Sequence, residues 1–493
     1  MIKFENQDLI IYGAGMVGNL VRQYLELTGE SQNIRAFAVS DSIGVENYHG
    51  YKLTAIDGLK KYAKACTVLI ATFPAAQEMI KNRLLDCGFE NIVAMNYEMY
   101  QQMADTYISS LENKRQIKDN YDILYMASDN NKTSGAFLCL VDLAISMRGK
   151  GKKSLIVLPE YGNGEEILVE QELDYIYIPS KTMLTRIDGK EPTWQERNIA
   201  DNSAAMNRIK ELIYKHNIKI IHCNTTYASV GAMAAKEPGI PVMWHLRENI
   251  FEQGYCYKDK EEFYDLINSS SKVVVVSDYL KKCYPDLSKE KVVTIYDGVN
   301  VGEYYKEREI FSDTKVRIVL VAAIYPLKRQ EDLIRAAVIL KERGFDFQID
   351  IIGSGEKQYI DKLEDIIREN NLGECVSLLG RKDEMQKYYQ MSDISVVCSR
   401  SESFGRVCIE SQLSGCVVVG ASAGATKELI EDKKTGLLYE CENAVDLAEK
   451  ISYAILHPLE SRVIAKNGQK KALHFFSKEN SANQIYDIYE ELL

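Results

Sequence analysis

Residues Asp393–Gly415 read DISVVCSRSESFGRVCIESQLSG, and the order of residue types in them describes one structural unit. Ile394 to Cys398 is a short apolar run with β-branched residues, the pattern of a buried strand. Ser399–Ser403 is a small polar loop. From Phe404-Gly405-Arg406 the pattern turns helical through Val407, Cys408, Ile409 and Leu413 to a natural stop at Gly415. A strand feeding a loop that opens a helix leaves backbone N–H groups without partners, and with the macrodipole they make a place for a phosphate. Glu402 in the loop and Glu410 in the helix flank that place. Carboxylates repel a bare phosphate but suit the hydroxyls of groups attached to one, such as a sugar and a ribose. The plainer reading is an i,i+4 surface pair between Arg406 and Glu410, worth roughly a few tenths of a kcal/mol, and a loop charge at Glu402. Spacing alone leaves both readings open.

Working outward, 493 residues are too many for one core and point to several domains. Hydrophobic content of 46% and charged content of 27% are those of a soluble globular protein. No apolar run approaches the ~18 residues of a membrane span. The opening MIKFENQDLIIYGAG lacks the regions of a signal peptide, so a cytoplasmic location is expected. Eleven cysteines without C-x-x-C spacing and six scattered histidines point to reduced thiols, with neither a disulfide framework nor a metal site. A net charge of −11 speaks against general nucleic-acid binding. One basic cluster, Arg148-Gly-Lys150-Gly-Lys152-Lys153, offers peripheral contact with anionic lipid, although such clusters are more often solvated turns.

Residues 8–18, DLIIYGAGMVG, form a strand running into Gly13-x-Gly15-x-x-Gly18, followed by a helix carrying Met16, Val17, Leu20, Val21, Tyr24 and Leu25. In that setting G-x-G-x-x-G provides a tight turn, a close phosphate approach and a helix N-terminus. A second strand, Ile34–Val39, ends at Ser40-Asp41, where the acid can meet a ribose hydroxyl. Residues 1–105 thus read as a small Rossmann-like domain with Gly13, Gly15, Gly18 and Asp41 as candidate nucleotide-binding residues. Its ligand is NAD or a nucleotide sugar; the alternative is a structural domain whose glycines only allow close packing. Tyr48-x-x-x-Lys52 has the spacing of a dehydrogenase pair but comes too early to meet a bound nicotinamide, and reads as chance.

A polar helical linker spans residues 106–120, and alternating strands and helices restart at 121–305, a second doubly wound α/β domain. Its ligands belong outside the C-terminal ends of the strands. There lie Ser134-Gly135, His222-Cys-Asn224, His245-Leu-Arg247-Glu248 and Ser277. His222 reads as a satisfied strand-end histidine, whereas His245 sits in a dense polar and aromatic group and reads as a site residue. A third α/β unit covers 306–475, with Pro326-Leu327-Lys328-Arg329 after its first strand and glycine loops at Gly353-Ser-Gly355 and Gly424-Ala-Thr426. Residues 476–493 form an amphipathic helix.

Two tandem α/β domains with Glu402-x7-Glu410 in the second resemble the GT-B fold of glycosyltransferase family 4, from about residue 121 to 493. The stretch SESFGRVCIE resembles the family's E-x-F-G-x-x-x-x-E signature. Ser134-Gly135-Ala136, WHLRE at 244–248, VVVVSDYL at 273–280, IYDGVN at 295–300, Pro326-x-Lys328 and GATKEL…TGLL at 424–438 support it in order. The resemblance implies an α/β chain in which two Rossmann-like domains face a cleft, preceded by a third, with the last helix crossing back to the first of the two. It implies a retaining glycosyltransferase that needs no cofactor and uses a nucleotide-sugar donor, UDP-linked by preference, with a cell-envelope glycan or lipid-linked acceptor. Glu410 would hold the ribose hydroxyls and Glu402 those of the donor sugar. Lys328 would neutralise the departing diphosphate, beside Ser403, Phe404, Gly405 and Arg406. Gly135 would let its loop approach the same diphosphate, and His245 would lie near the donor sugar. Lys328, Glu402 and His245 are then the catalytic group.

Three departures accompany the resemblance. The family's Gly-Arg before P-x-K is Ala322-Ala323 here, leaving Arg329 or Arg406 to supply a second cation. The usual Asn of the N-G-V/I-D turn is Asp297. Residues 1–105 lie outside the family core and resemble the N-terminal domain of PglD-type sugar acyltransferases, which binds nucleotide sugar. Two rival readings stand beside this one: an NAD-dependent oxidoreductase built on Gly13–Gly18, and an inactive scaffold that binds a sugar nucleotide. An oligomer or a partner glycosyltransferase is compatible with all of them.

Overall fold

Runs of branched apolar residues become buried strands in three successive sheets, and the helices between them cover the faces, as parallel pairing requires. The computed structural model describes residues 2–493 apart from 5–6, 41–45, 113–116, 118–119 and 189–201. The first sheet contains β1 (Leu9–Tyr12), β2 (Ile34–Val39), β3 (Asn47–Tyr48), β4 (Tyr51–Ala55), β5 (Thr67–Ile70) and β6 (Ile92–Ala94), in the order β3-β4-β2-β1-β5-β6. Only the β3–β4 hairpin is antiparallel.

At the turn after β1, Gly13 has φ +122° and a Cβ there would stand 2.6 Å from the Ala71 carbonyl oxygen. A Cβ on Gly18 would stand 2.0 Å from the Gly13 carbonyl oxygen, whereas one on Gly15 would meet nothing within 4 Å. Close packing therefore demands two of the three glycines. Asp41 lies outside the described residues.

The expected linker is different in character. A continuous helix, Tyr97–Glu112, runs through the boundary placed at residue 105. It buries Tyr100, Met103, Ala104 and Ile108 and packs along helix Met16–Thr28. One apolar cluster runs from Leu9 and Phe37 through Met103 to Tyr125 and Phe137, so the first domain shares core with the second. Polar contacts reinforce the seam: the Tyr107 hydroxyl donates to Glu165 Oε1 at 2.8 Å and that of Tyr161 to Gln23 Oε1 at 2.5 Å.

The second domain holds β7 (Ile123–Met126), β8 (Ser154–Leu158), β9 (Asp174–Tyr177), β10 (Leu184–Arg186), β11 (Ile220–Asn224), β12 (Val242–Leu246), β13 (Tyr255–Tyr257), β14 (Lys272–Val275) and β15 (Val292–Thr294). Seven of these form a parallel sheet in the order β15-β14-β12-β11-β7-β8-β9, while β10 and β13 pair as an antiparallel ribbon. The third domain's sheet is parallel, β18-β17-β16-β19-β20-β21, from β16 (Val316–Val321), β17 (Phe347–Ile352), β18 (Val376–Leu378), β19 (Ile394–Val397), β20 (Val417–Ala421) and β21 (Leu437–Tyr439). Strand order reverses beside β7 in one sheet and beside β16 in the other. At such switch points loops diverge and leave a crevice at the C-terminal strand ends.

The last helix, Lys478–Leu492, lies on helix Gly135–Gly149 of the second domain. Its Tyr489 hydroxyl is 2.5 Å from His222 Nδ1, so the buried His222 is satisfied at one ring nitrogen, while its Nε2 has no hydrogen-bond partner among the described residues. This helix also engages the basic cluster. Lys150 donates to Asn483 at 2.6 Å, Lys152 pairs with Glu490, and Arg148 donates to the Gln171 carbonyl. Among the described residues no helix is long and apolar enough to cross a membrane.

Candidate active site

The two switch points face each other across a cleft of about 1040 Å³. Loops after β7, β12, β16 and β19 supply its walls, bringing Gly135, Arg247, Lys328, Glu402 and Arg406 to one space. Lys328 ends a short 3-10 turn, Pro326–Lys328. Its Nζ donates to Glu402 Oε1 at 2.6 Å, and Ser399 Oγ donates to the same oxygen at 2.6 Å. Burial pulls the Lys328 ammonium down, but the Glu402 carboxylate outweighs it, and the amine holds its proton above the ordinary lysine range.

Glycines that resemble phosphate loops are packing devices that hold these two side chains. Gly424 has φ +54°, and a Cβ there would stand 2.5 Å from the Glu402 amide nitrogen. The Ala425 amide donates to the Glu402 carbonyl at 2.9 Å, so the GATKE stretch is the floor of the Glu402 loop. Gly353 and Gly355 press equally closely on Ala322 and Ile324, the strand end that leads to Lys328.

Helix Arg406–Leu413 starts at Gly405, whose φ of +100° only glycine adopts readily. Arg406 lies in the cleft, donates to Cys139 Sγ at 2.9 Å, and stands 3.6 Å from Glu410 Oε1. Glu410 is behind it, 8% exposed and outside the cleft lining, and burial raises its pKa. Ser403 stitches the domains together. Its Oγ accepts from the Asn249 amide at 3.1 Å, and its carbonyl accepts from Ser277 Oγ at 2.5 Å. Phe404 is buried against Tyr296 and Phe476 with its edge on the cleft.

Gly135 opens its helix beside Ser134, whose Oγ caps the Phe137 amide, and a Cβ on Gly135 would meet only open space. Besides Glu410, two expected residues are not in the cleft. Arg329 is turned onto Asp332, 2.7 Å away, at φ +54°. His245 is 1% exposed within β12, and burial together with the Arg247 charge keeps its ring neutral, its pKa well below the usual range.

The cation at that end of the cleft is Arg247, one step beyond the strand. It donates to Asn224 Oδ1 at 2.8 Å and to His245 Nδ1 at 3.2 Å, and pairs with Asp297. The departure from Asn to Asp at 297 thus supplies a counter-charge for a buried guanidinium. Glu248, next in the chain, also lines the cleft. Its Oε1 accepts from the Thr226 amide at 2.5 Å, and burial pushes its pKa up to about 7. Arg247 and Glu248 lay within the quoted WHLRE stretch; the usable signal was their position just past a strand rather than in it. Asp129 and Glu252 complete the acidic side. Among the described residues no group of three or more His, Cys, Asp or Glu could hold a metal.

Three cations and an open helix start thus meet in one crevice with carboxylates around them. The cations suit an anion whose charge grows during reaction, and the carboxylates suit hydroxyls attached to it.

Comparison with known proteins agrees. Residues 133–303 match the model of Glycosyltransferase Family 4, and residues 303–471 match Glycosyl transferases group 1. An uncharacterised glycosyltransferase of Methanocaldococcus jannaschii is 31% identical over 294 residues, covering 57% of this chain and 78% of that one. A D-inositol 3-phosphate glycosyltransferase of Saccharomonospora viridis is 27% identical over 236 residues, 44% of this chain and 54% of the relative. Among solved structures, Anabaena HepE in complex with UDP-glucose superposes with a TM-score of 0.63 at 23% identity, over 76% of this chain and 100% of that one. A glycosyltransferase from Rickettsia africae does so at 0.64 and 20%, over 76% and 99%. The first 132 residues lie outside both family matches. The chain is a glycosyltransferase of the group 1 and family 4 class, built on the GT-B fold.

Proposed function

We propose that this glycosyltransferase moves a sugar, with retention of configuration, from a nucleotide-diphosphate donor onto a cell-envelope glycan or lipid-linked acceptor. UDP is the favoured nucleotide. The observation that carries the reading is the Lys328–Glu402 pair at 2.6 Å, with Arg406 and Arg247 on the facing walls of the same cleft. The HepE structures that share the fold hold UDP and UDP-glucose, which supports the choice of nucleotide.

In this mechanism the bond between the sugar and the β-phosphate breaks while Lys328 and Arg406 meet the charge growing on the phosphate. Preorganised groups of this kind contribute on the order of 10²–10³ in rate each. Glu402 orients the sugar hydroxyls. Glu410 reaches the ribose once Arg406 turns from it toward the phosphate. The acceptor hydroxyl attacks from the leaving-group side, and no covalent nucleophile is assigned. The N-terminal domain is read as a nucleotide-sugar-binding module of the PglD type, with Gly15 as its open position. The site of action is the cytoplasmic face of the membrane, reached by peripheral contact.

The test is nucleotide release by the full chain across UDP-, GDP- and ADP-linked sugars, with the product anomer read by NMR. The reading predicts UDP release and an α-linked product from an α-linked donor. A β-linked product would remove retention, and NADH turnover without sugar release would favour the oxidoreductase.

A further inference from the structure

A second cavity, of about 440 Å³, adjoins the cleft and shares Ser128, Tyr227 and Tyr255 with it. It lies beyond the C-terminal ends of β7, β8 and β9, within the domain opposite Lys328 and Glu402. The loop and ribbon around residues 181–186 and Tyr255 form one side of it, and a further wall comes from outside the family core. Helix Tyr97–Glu112 presents Tyr100, Gln101, Ala104, Asp105 and Ile108 to the space. The size suits one or two sugar rings, within the range of small-ligand sites.

The chemistry of the wall is that of hydroxyl recognition. Gln101 Nε2 donates to Asp105 Oδ1 at 2.7 Å, which fixes a planar carboxamide and a carboxylate side by side. Such a pair can both give to and accept from vicinal hydroxyls. Tyr227 and Tyr255, edge to face with ring centroids 5.5 Å apart, add amphipathic aromatic surface to the lining. Asp105 and Glu160 on the wall are matched by Lys181 and Lys258, and Arg186 is paired with Asp188 at 2.9 Å, so the charges balance and no single-sign field selects an ion.

We propose that this cavity is the acceptor site, that it takes an uncharged sugar residue of a glycan, and that the extra N-terminal domain supplies its recognition wall through Gln101 and Asp105. The inference rests on reading the neighbouring cleft as the donor site. It gives residues 1–112 a role in acceptor choice, separate from any ligand at Gly13–Gly18.

The experiment is saturation-transfer NMR on the full chain with UDP present, using p-nitrophenyl β-glucoside, β-galactoside and β-N-acetylglucosaminide as probes. L-malate and inorganic phosphate serve as anionic probes. At least one glycoside should bind the native chain, and Gln101→Ala/Asp105→Ala should weaken it by about tenfold or more. UDP affinity, measured by calorimetry, and the thermal midpoint report folding. If the double variant melts early, Gln101→Glu, which adds a charge at nearly constant volume, carries the same comparison. Equal glycoside binding by native and variant chains, binding of only the anions, or no glycoside binding would each overturn the proposal. Absence of UDP binding alongside glycoside binding that the variant loses would strike the donor reading and leave the recognition wall standing.

Discussion

Replacing Lys328 by Ala separates two effects that the structure places on one atom. Its Nζ is 2.6 Å from Glu402 Oε1, and the two side chains are 17% and 15% exposed. Breaking a fully buried pair costs about 3–5 kcal/mol, because the surviving charge is left in a poor solvent. With this residual exposure, and with Ser399 still donating to Glu402, about 2 kcal/mol is the reasonable figure. That corresponds to a fall of roughly 4–8 °C in the melting temperature of a domain this size. The catalytic loss has a different origin. Without the ammonium, charge on the departing phosphate loses one preorganised partner, about 10²–10³ in kcat. A double variant, Lys328→Ala/Glu402→Gln, removes the stranded carboxylate and should recover most of the melting temperature while turnover stays low. The assay is nucleotide release under saturating donor, beside thermal denaturation of both variants. Turnover within about threefold of the native chain, no more than about 0.7 kcal/mol of lost stabilisation, would refute the role of Lys328; so would turnover that returned together with stability in the double variant.

Other expectations follow from particular residues. Glu248 releases its proton near 4.5 when unfolded and near 7 when folded, so the folded state binds more protons between those values. Stability therefore falls by up to ~3 kcal/mol as pH rises from 4.5 to 7. Glu248→Gln keeps an acceptor for the Thr226 amide and should flatten melting temperature against pH; parallel curves would contradict the burial argument. Gly18→Ala puts a Cβ 2.0 Å from a backbone oxygen and should cost about 2–4 kcal/mol, whereas Gly15→Ala, with open space, should stay within about 0.5 kcal/mol. Denaturant melts of the two variants check this. Arg406→Ala should weaken UDP binding by about 1.5–3 kcal/mol, roughly 10- to 100-fold, while Arg329→Ala, paired outside the cleft, should change it less than about twofold. Calorimetric titration distinguishes them.

The architecture was readable wherever burial imposes a strong pattern. Ile34–Val39 and Ser154–Leu158 are strands over the expected residues, because parallel strands covered on both faces are apolar over most of their length, here with only Arg35 exposed. Short paired segments escaped. Leu184–Arg186 and Tyr255–Tyr257 form a ribbon across a gap of about seventy residues that no local period reveals. The Tyr97–Glu112 helix looked like a polar linker because the partner that buries Tyr100, Met103 and Ile108 is another helix distant in sequence. At the site, Glu402 and Lys328 were recognisable from motif order, but their 2.6 Å pairing depends on Gly424 and Gly353 pressing two loops together. His245 and Arg247 differ by two positions, yet one ends inside the sheet and the other projects past it. Strand ends are the boundaries that sequence patterns define least well, so the sequence points to His245 as the site residue here and to Arg329 or Arg406, not Arg247, as the second cation.

The central claim is that one nucleotide diphosphate sits between Lys328 and the start of helix Arg406–Leu413. A crystal structure of the full chain with UDP tests it directly. The account predicts diphosphate oxygens within hydrogen-bond reach of Lys328 Nζ and Arg406, and the ribose against Glu410 after Arg406 has turned. UDP bound at Gly13–Gly18 with the Lys328–Glu402 cleft empty would contradict it.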